Sequence, residues 1–274
     1  MCRWIAYSGP PLYMEELVLK PEHSLIDQSS AARLGKTTTN ADGFGLGWYG
    51  KRPTPGVYRD VHPAWNDPNL RDLVGHIESR LFLAHVRAAT STPVQTTNCH
   101  PFRHGRWLFV HNGLISDFHG LKRDLALAVA PELYPCIEGS TDTELMFFLA
   151  LTFGLEDDPL PAVQRMAGLI EQVAGAHGVG HALQMTLGIS DGERLIGVRY
   201  STERASRSLF LNRDAEALCE LHPQGSRFPH GARCVVSEPL SNLTDCWQEI
   251  PESTAVVIEA GEVRTVEFSP SARS

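Results

Sequence analysis

The 274-residue sequence predicts an α+β fold in which helices cover sheet faces, and three observations carry that prediction. Strand-like segments open the chain, helical segments fill its middle, and strand-like segments return in the last third. The first strand candidate is apolar on both faces, as a strand buried between layers is. Hydrophobic residues make up 42% of the chain, enough for a substantial core, and no repeat, low-complexity tract or long linker divides it. One domain over residues 2–268, with a flexible tail at 269–274, accounts for the length.

Taken in order, residues 2–8 (CRWIAYS) read as a short strand. Pro10 and Pro11 then read as the opening of a helix, PLYMEELVLK, because proline is favoured in a first helical turn. A polar stretch over 21–42 leads to GFGLGWYG (43–50), whose alternating glycines predict a strand edge open to close approach by another backbone or a ligand. Residues 51–78, rich in Pro, Asp and Asn, predict loop with a short helix near 69–78. RLFLAHVR (80–87) and RWLFVHN (106–112) predict strands, separated by a polar, proline-containing loop. Helices follow near 116–129, 142–154 and 159–175, the last amphipathic through Val163, Met166, Ile170 and Val173. ALQMTLGIS and RLIGVRY flank Asp191-Gly192 as a hairpin, and SLFLN, ARCVVS, TAVVIE and VRTVEF complete the strands.

Net charge is −8, and lysine and arginine are scattered, so neither a nucleic acid nor an anionic membrane is expected as a partner. No apolar run reaches membrane-spanning length, and MCRWIAYSGPPLY lacks the charged and apolar regions of a secretory signal. The six cysteines are widely spaced without a CxxC, which favours reduced thiols and a cytoplasmic location.

Four segments offer chemistry, each against a plainer alternative. Cys2 becomes the N-terminal residue once Met1 is trimmed, and its α-amine then titrates at roughly 7.7–8.0, where it can act as base for its own thiol. The alternative is a buried cysteine at a strand start, and position alone favours it. Arg87 ends a strand within LAHVRAAT, where a planar fork suits a carboxylate; a surface arginine is as common. Asn112-Gly113 offers an amide and a backbone N–H to a developing oxyanion, although Asn-Gly is also a strong turn dipeptide. Thr141-x-x-Glu144 reads as a capping box with Asp142 in the first turn, or else Asp142 faces a ligand ammonium. A metal site built from Cys99, His100 and His104 with His85 or His111 is the remaining option. Pro101 keeps those residues off a single helix face, so no metal is expected.

The order and spacing of these segments carry more than any one of them. Cys2, then His85-x-Arg87-x-Ala89-Thr90, Asn98-Cys99-His100-Pro101, His111-Asn112-Gly113 and Thr141-Asp142-Thr143-Glu144 resemble the class II glutamine amidotransferase domain, an N-terminal-nucleophile hydrolase type. The resemblance covers residues 2 to about 150 in motifs and extends toward 265 through Ser237-Glu238-Pro239-Leu240. It implies a four-layer α/β/β/α sandwich of two mainly antiparallel sheets, with no cofactor. It implies that Cys2 is the nucleophile, that Asn112 and Gly113 form the oxyanion hole, and that Arg87 and Asp142 hold the substrate α-carboxylate and α-ammonium. Thr90 and His100 match positions lining the glutamine pocket. The family commonly has tryptophan after the clamp arginine, whereas this chain has Ala88, which opens space for a group larger than NH₂.

The implied activity is hydrolysis of glutamine through a γ-glutamyl thioester, with ammonia passed to a synthase partner or released. The alternative is hydrolysis of a γ-glutamyl amide conjugate, similar to the ergothioneine-pathway enzyme. A regulatory module that keeps only the fold stands well behind these, since Cys2, Asn112 and Asp142 are all present.

Overall fold

A computed structural model of the chain describes residues 2–34, 38–89, 92–214, 228–242 and 244–271. Thirteen strands and six α-helices are found among them. The helices are α1 (Glu15–Val18), α2 (Leu25–Ala31), α3 (Pro68–His76), α4 (Phe118–Leu127), α5 (Asp142–Thr152) and α6 (Pro159–Ala176). The strands that build the site are β1 (Arg3–Tyr13), β4 (Glu78–Val86), β6 (Trp107–Ile115) and β7 (Leu183–Ser190). The others are β2 (Phe44–Trp48), β3 (Gly56–Asp60), β5 (Phe102–His104), β8 (Arg194–Ser201), β9 (Phe210–Asn212), β10 (Arg233–Val236), β11 (Trp247–Glu249), β12 (Thr254–Glu259) and β13 (Glu262–Glu267).

These strands form two sheets, one ordered β11-β9-β10-β1-β4-β2-β3 and the other β13-β12-β8-β7-β6-β5. Every paired neighbour runs antiparallel. Strand side chains alternate between faces, so a strand buried on both sides must divide its apolar residues between two cores. Trp4 and Ala6 of β1, Leu81 and Leu83 of β4, and Leu108 and Val110 of β6 pack together between the sheets. On the outer face, Ile5, Tyr7, Phe82 and Ala84 meet α1, α2 and α3. Trp107 and Phe109 meet α4, α5 and α6 on the opposite side. Three cores separating four layers make the α/β/β/α sandwich.

Several local expectations change. Pro10 and Pro11 belong to the far end of β1 and open no helix; α1 is only Glu15–Val18. The pairing of β1 with β4 shifts register between Ser8 and Leu12, and such an irregularity tolerates residues without a ladder N–H. The glycine-rich β2 is no edge, since it pairs with β3 and β4. Its glycines do serve close approach: a Cβ on Gly45 would lie 2.2 Å from the His100 carbonyl oxygen. Helix α2, within the stretch read as polar, is held by a capping box between Ser24 and Asp27. No helix among the described residues is long and apolar enough to cross a membrane. At the C-terminus, the Ser271 N–H donates to the Gln164 carbonyl on α6, and residues 272–274 lie outside the described residues.

Candidate active site

The alternation that builds the inter-sheet core also places the chemistry. Trp4 and Ala6 face inward, so Cys2 continues that face at the end of β1, and Leu81, Leu83, His85 and Arg87 share one parity along β4. Asn112 follows Leu108 and Val110 on β6. The structure brings Cys2, Arg87, His100, Asn112, Gly113 and Asp142 around one open cavity of about 100 Å³ at this end of the sandwich. Thr90 lies outside the described residues. A larger groove of about 880 Å³ opens at the other end of β1, beside Ser8 and Arg80, and none of these residues reaches it.

The Cys2 thiol lies 3.7 Å from the Ala88 carbonyl oxygen. Burial pushes the thiol pKa up; the hydrogen bond to Ala88 and the positive charge of Arg87 oppose this, and Asp142 adds to it. The resting side chain is therefore a thiol that needs a base. Behind it, Arg3 Nη1 donates to the Cys2 carbonyl (3.0 Å), while Arg3 Nε donates to Glu238 Oε2 (2.8 Å). Glu238 also accepts from His23 Nε2 and from the Arg33 and Leu34 N–H groups. Burial alone would raise its carboxyl pKa; the hydrogen bonds from His23, Arg3 and those N–H groups hold it at about 2. The Ser237-Glu238-Pro239-Leu240 segment thus fixes the start of β1, with the Ser237 hydroxyl accepting from the Trp4 N–H (3.0 Å).

Arg87 is 2% exposed. Its Nη1 donates to the Asp42 carbonyl (3.3 Å) and its Nη2 to Thr92 Oγ1 (2.7 Å). Asp42 Oδ2 accepts the Ala89 N–H at 2.8 Å, tying down the turn that follows β4. Asn98 does similar work nearby, accepting the Ser140 N–H and donating to the Pro93 carbonyl.

Asn112 and Gly113 form no turn; both lie inside β6, opposite Thr186 and Met185 of β7. Only glycine fits at 113, because a Cβ there would stand 1.8 Å from the Gln184 carbonyl oxygen. At the start of α5 the capping box is half formed. The Thr141 hydroxyl accepts from the Glu144 N–H, but the Glu144 carboxylate turns away to accept from the Glu138 and Gly139 N–H groups. Asp142 accepts from the Ile115 N–H (3.0 Å) and the Thr143 N–H (2.8 Å). The Thr143 hydroxyl also approaches Asp142 Oδ1 (3.4 Å), and a carboxylate has about four acceptor positions, so one is left for a ligand.

Three histidines stand behind the thiol. The His85 and His100 rings stack with centroids 4.0 Å apart, and His111 Nδ1 meets the Thr143 hydroxyl at 2.8 Å. Burial holds His85 down to about 3 and His100 well below its usual range, and lowers His111 as well. Neither ring nitrogen of His100 has a hydrogen-bond partner among the described residues, although both are buried. Among the described residues no group of three or more His, Cys, Asp or Glu is arranged so as to hold a metal ion. Cys99 faces the Asp60 and Gln95 carbonyls instead, and His104 packs edge-on against Phe148.

The cavity also includes residues that no sequence pattern singled out, among them Thr92, Phe118 and Arg207. Thr92 also bonds to Arg87, and Arg207 lies in a polar run with no periodicity to mark it.

Two antiparallel sheets lie between helical layers, with the Cys2 thiol at their open end, an arrangement that matches class II glutamine amidotransferase domains. The family model described as "Glutamine amidotransferases class-II" matches residues 21–274, and the chain belongs to that family. It is 30% identical to the Saccharomyces cerevisiae protein "Probable glutamine amidotransferase DUG3", over 94% of this chain and 82% of that protein. Over 42% of this chain and 52% of the relative, it is 38% identical to the gamma-glutamyl-hercynylcysteine sulfoxide hydrolase of Mycolicibacterium smegmatis. Among solved structures, the glutamine aminotransferase class-II domain protein of Silicibacter pomeroyi superposes with a TM-score of 0.77 at 33% identity, covering 98% of this chain and all of that one. The glutamine phosphoribosylpyrophosphate amidotransferase of B. subtilis shares the fold (TM-score 0.66, 14% identity), over 99% of this chain and half of that one.

Proposed function

We propose that the chain hydrolyses the side-chain amide of glutamine or of a γ-glutamyl conjugate through a thioester on Cys2. The observation that carries this reading is the convergence of Cys2, Arg87, Asn112, Gly113 and Asp142 on one cavity. The family match begins at residue 21, so the role of Cys2 rests on that geometry.

In this reading Met1 is removed and the Cys2 α-amine, at roughly 7.7–8.0, takes the thiol proton. The neighbouring histidines suit that task poorly, because burial keeps their pKa values too low. Arg87 and Asp142 hold the α-carboxylate and α-ammonium, which fixes the amide carbon against the sulfur. The Asn112 amide and the Gly113 N–H stabilise the oxyanion. The amine leaves with the proton, and water then releases glutamate and restores the thiol. His100, which lines the cavity, belongs to the glutamyl pocket, and the family resemblance assigns Thr90 to the same pocket. The work belongs in the cytoplasm, where a thiol nucleophile stays reduced. Where ammonia is the product, a synthase partner is its natural consumer.

Substitution of Cys2 by alanine tests the assignment. The variant should fold as wild type does and lose turnover of every γ-glutamyl amide; retained hydrolysis would assign the chemistry elsewhere.

A further inference from the structure

The cavity holds a second arginine to which the chemistry proposed above gives no task. Arg207 lies on the connection between β8 and β9 and lines the same cavity as Cys2, Arg87 and Asn112. Its Nε is buried with no hydrogen-bond acceptor among the described residues. Burial, and then the like charge of Arg3, lowers its pKa, and no carboxylate among the described residues offsets them. Arg3 itself is already matched by Glu238 at 2.8 Å, so the uncompensated cation is Arg207.

The backbone on either side is pinned. Arg199 Nε donates to Ser206 Oγ (2.9 Å), the Ser206 N–H donates to the Glu252 carboxylate, and Ser208 Oγ donates to the Ser237 carbonyl (2.9 Å). Arg207 is therefore held beside the nucleophile with its fork unfilled, an arrangement that favours an anion arriving with the substrate.

Glutamine does not supply that anion. Its one carboxylate belongs to Arg87, and its leaving group is neutral ammonia. A γ-glutamyl amide whose amine half carries its own carboxylate supplies a second. Room exists for that half, since the residue beside the thiol is the small Ala88.

We propose that Arg207 binds a carboxylate on the leaving amine, so that the preferred substrates are γ-glutamyl amides of amino acids or short peptides. This rests on the Cys2 reading above and sharpens it. The Cys2 sulfur bonds to the γ-carbonyl carbon, the carbon–nitrogen bond breaks, and the departing nitrogen takes the thiol proton held by the α-amine. Water then attacks the thioester, giving free glutamate and the regenerated thiol. One amide and one water become one acid and one amine.

The test compares kcat/KM of the full-length protein for γ-glutamylglycine, γ-glutamyl methylamide and glutamine. A charge-assisted pair predicts that γ-glutamylglycine exceeds the methylamide by about 10- to 100-fold. Arg207→Met should bring that ratio to within about threefold of unity, and Arg207→Lys should restore part of it. Arg207→Glu should favour the γ-glutamyl amide of ethylenediamine, whose free end is an ammonium, a reversal that a merely structural role would not produce. Equal wild-type rates for the first two substrates would overturn the proposal without needing any variant. So would a preference that survives in Arg207→Met, or a uniform rise in KM for all three substrates, which would assign Arg207 to the glutamyl carboxylate. Cleavage of glutamine without the preference removes this inference alone. Cleavage of none of them removes the Cys2 reading with it.

Discussion

Trp4 Nε1 donates to Thr186 Oγ1 at 3.2 Å, joining β1 to the opposite sheet two residues from Cys2. The same Thr186 hydroxyl donates to the Asn112 carbonyl at 3.3 Å, so one buried side chain links the thiol strand to the proposed oxyanion strand. With His85 Nε2, which meets the His111 carbonyl at 3.2 Å, the Trp4–Thr186 bond makes two polar bridges between the sheets at the site.

Thr186→Val keeps the shape and removes both bonds. It leaves the buried indole N–H without an acceptor, at a cost of about 1–3 kcal/mol in stability. Asn112 loses its lateral anchor, so kcat should fall by about tenfold while KM changes little. Urea unfolding together with steady-state kinetics checks both. A variant as stable and as active as wild type would mean that the bridge positions nothing.

Arg87→Lys replaces a two-pronged fork with a point charge. The fork is already oriented by the Asp42 carbonyl and Thr92, and lysine cannot keep those bonds while meeting two carboxylate oxygens. KM should rise by about tenfold or more with a smaller change in kcat, since the clamp is made in the ground state as well. Kinetics matching wild type would remove Arg87 from the α-carboxylate.

The histidine cluster makes stability depend on pH. His85, His100 and His111 are kept neutral in the fold by burial, and take protons on unfolding near the usual value of 6.5. The unfolded chain therefore binds more protons below that pH, and stability declines as pH falls from about 6.5. The decline eases only where the folded rings themselves protonate, near 3 for His85. Three such groups give a limiting slope of about 4 kcal/mol per pH unit. Urea midpoints at pH 7, 6 and 5 should fall steadily; equal midpoints at pH 7 and pH 5 would show that the rings protonate in place.

The architecture was legible where one residue pattern has one physical solution. The two-sided apolar strand at Arg3–Tyr7 and the amphipathic repeat of α6 admit few alternatives, and the structure has them in those roles. Pro10 and Pro11 misled because proline suits both a first helical turn and a strand irregularity, and only the partner strand decides. The strand β3 and the three-residue β5 and β11 are too short or too exposed to leave a periodic pattern.

Of the residues around the cavity, those in ordered motifs could be named from their spacing. Arg207 could not, because its placement comes from bonds made by Ser206 and Ser208 to residues far away in sequence. Glu144 shows the same limit. The spacing Thr141-x-x-Glu144 predicts a reciprocal cap, yet the carboxylate finds two N–H groups in the preceding loop. Local pattern sets which bonds are available, and tertiary contacts choose among them.

The central claim is that Cys2, freed of Met1, is the nucleophile. Its most direct test is the intact mass of the protein from its native host, before and after exposure to a glutamine-mimicking affinity label. The account predicts a mass lacking Met1 and a single adduct that maps to Cys2 and disappears in Cys2→Ala. A fully retained Met1, or an adduct on Cys99, Cys136 or another thiol, would contradict it.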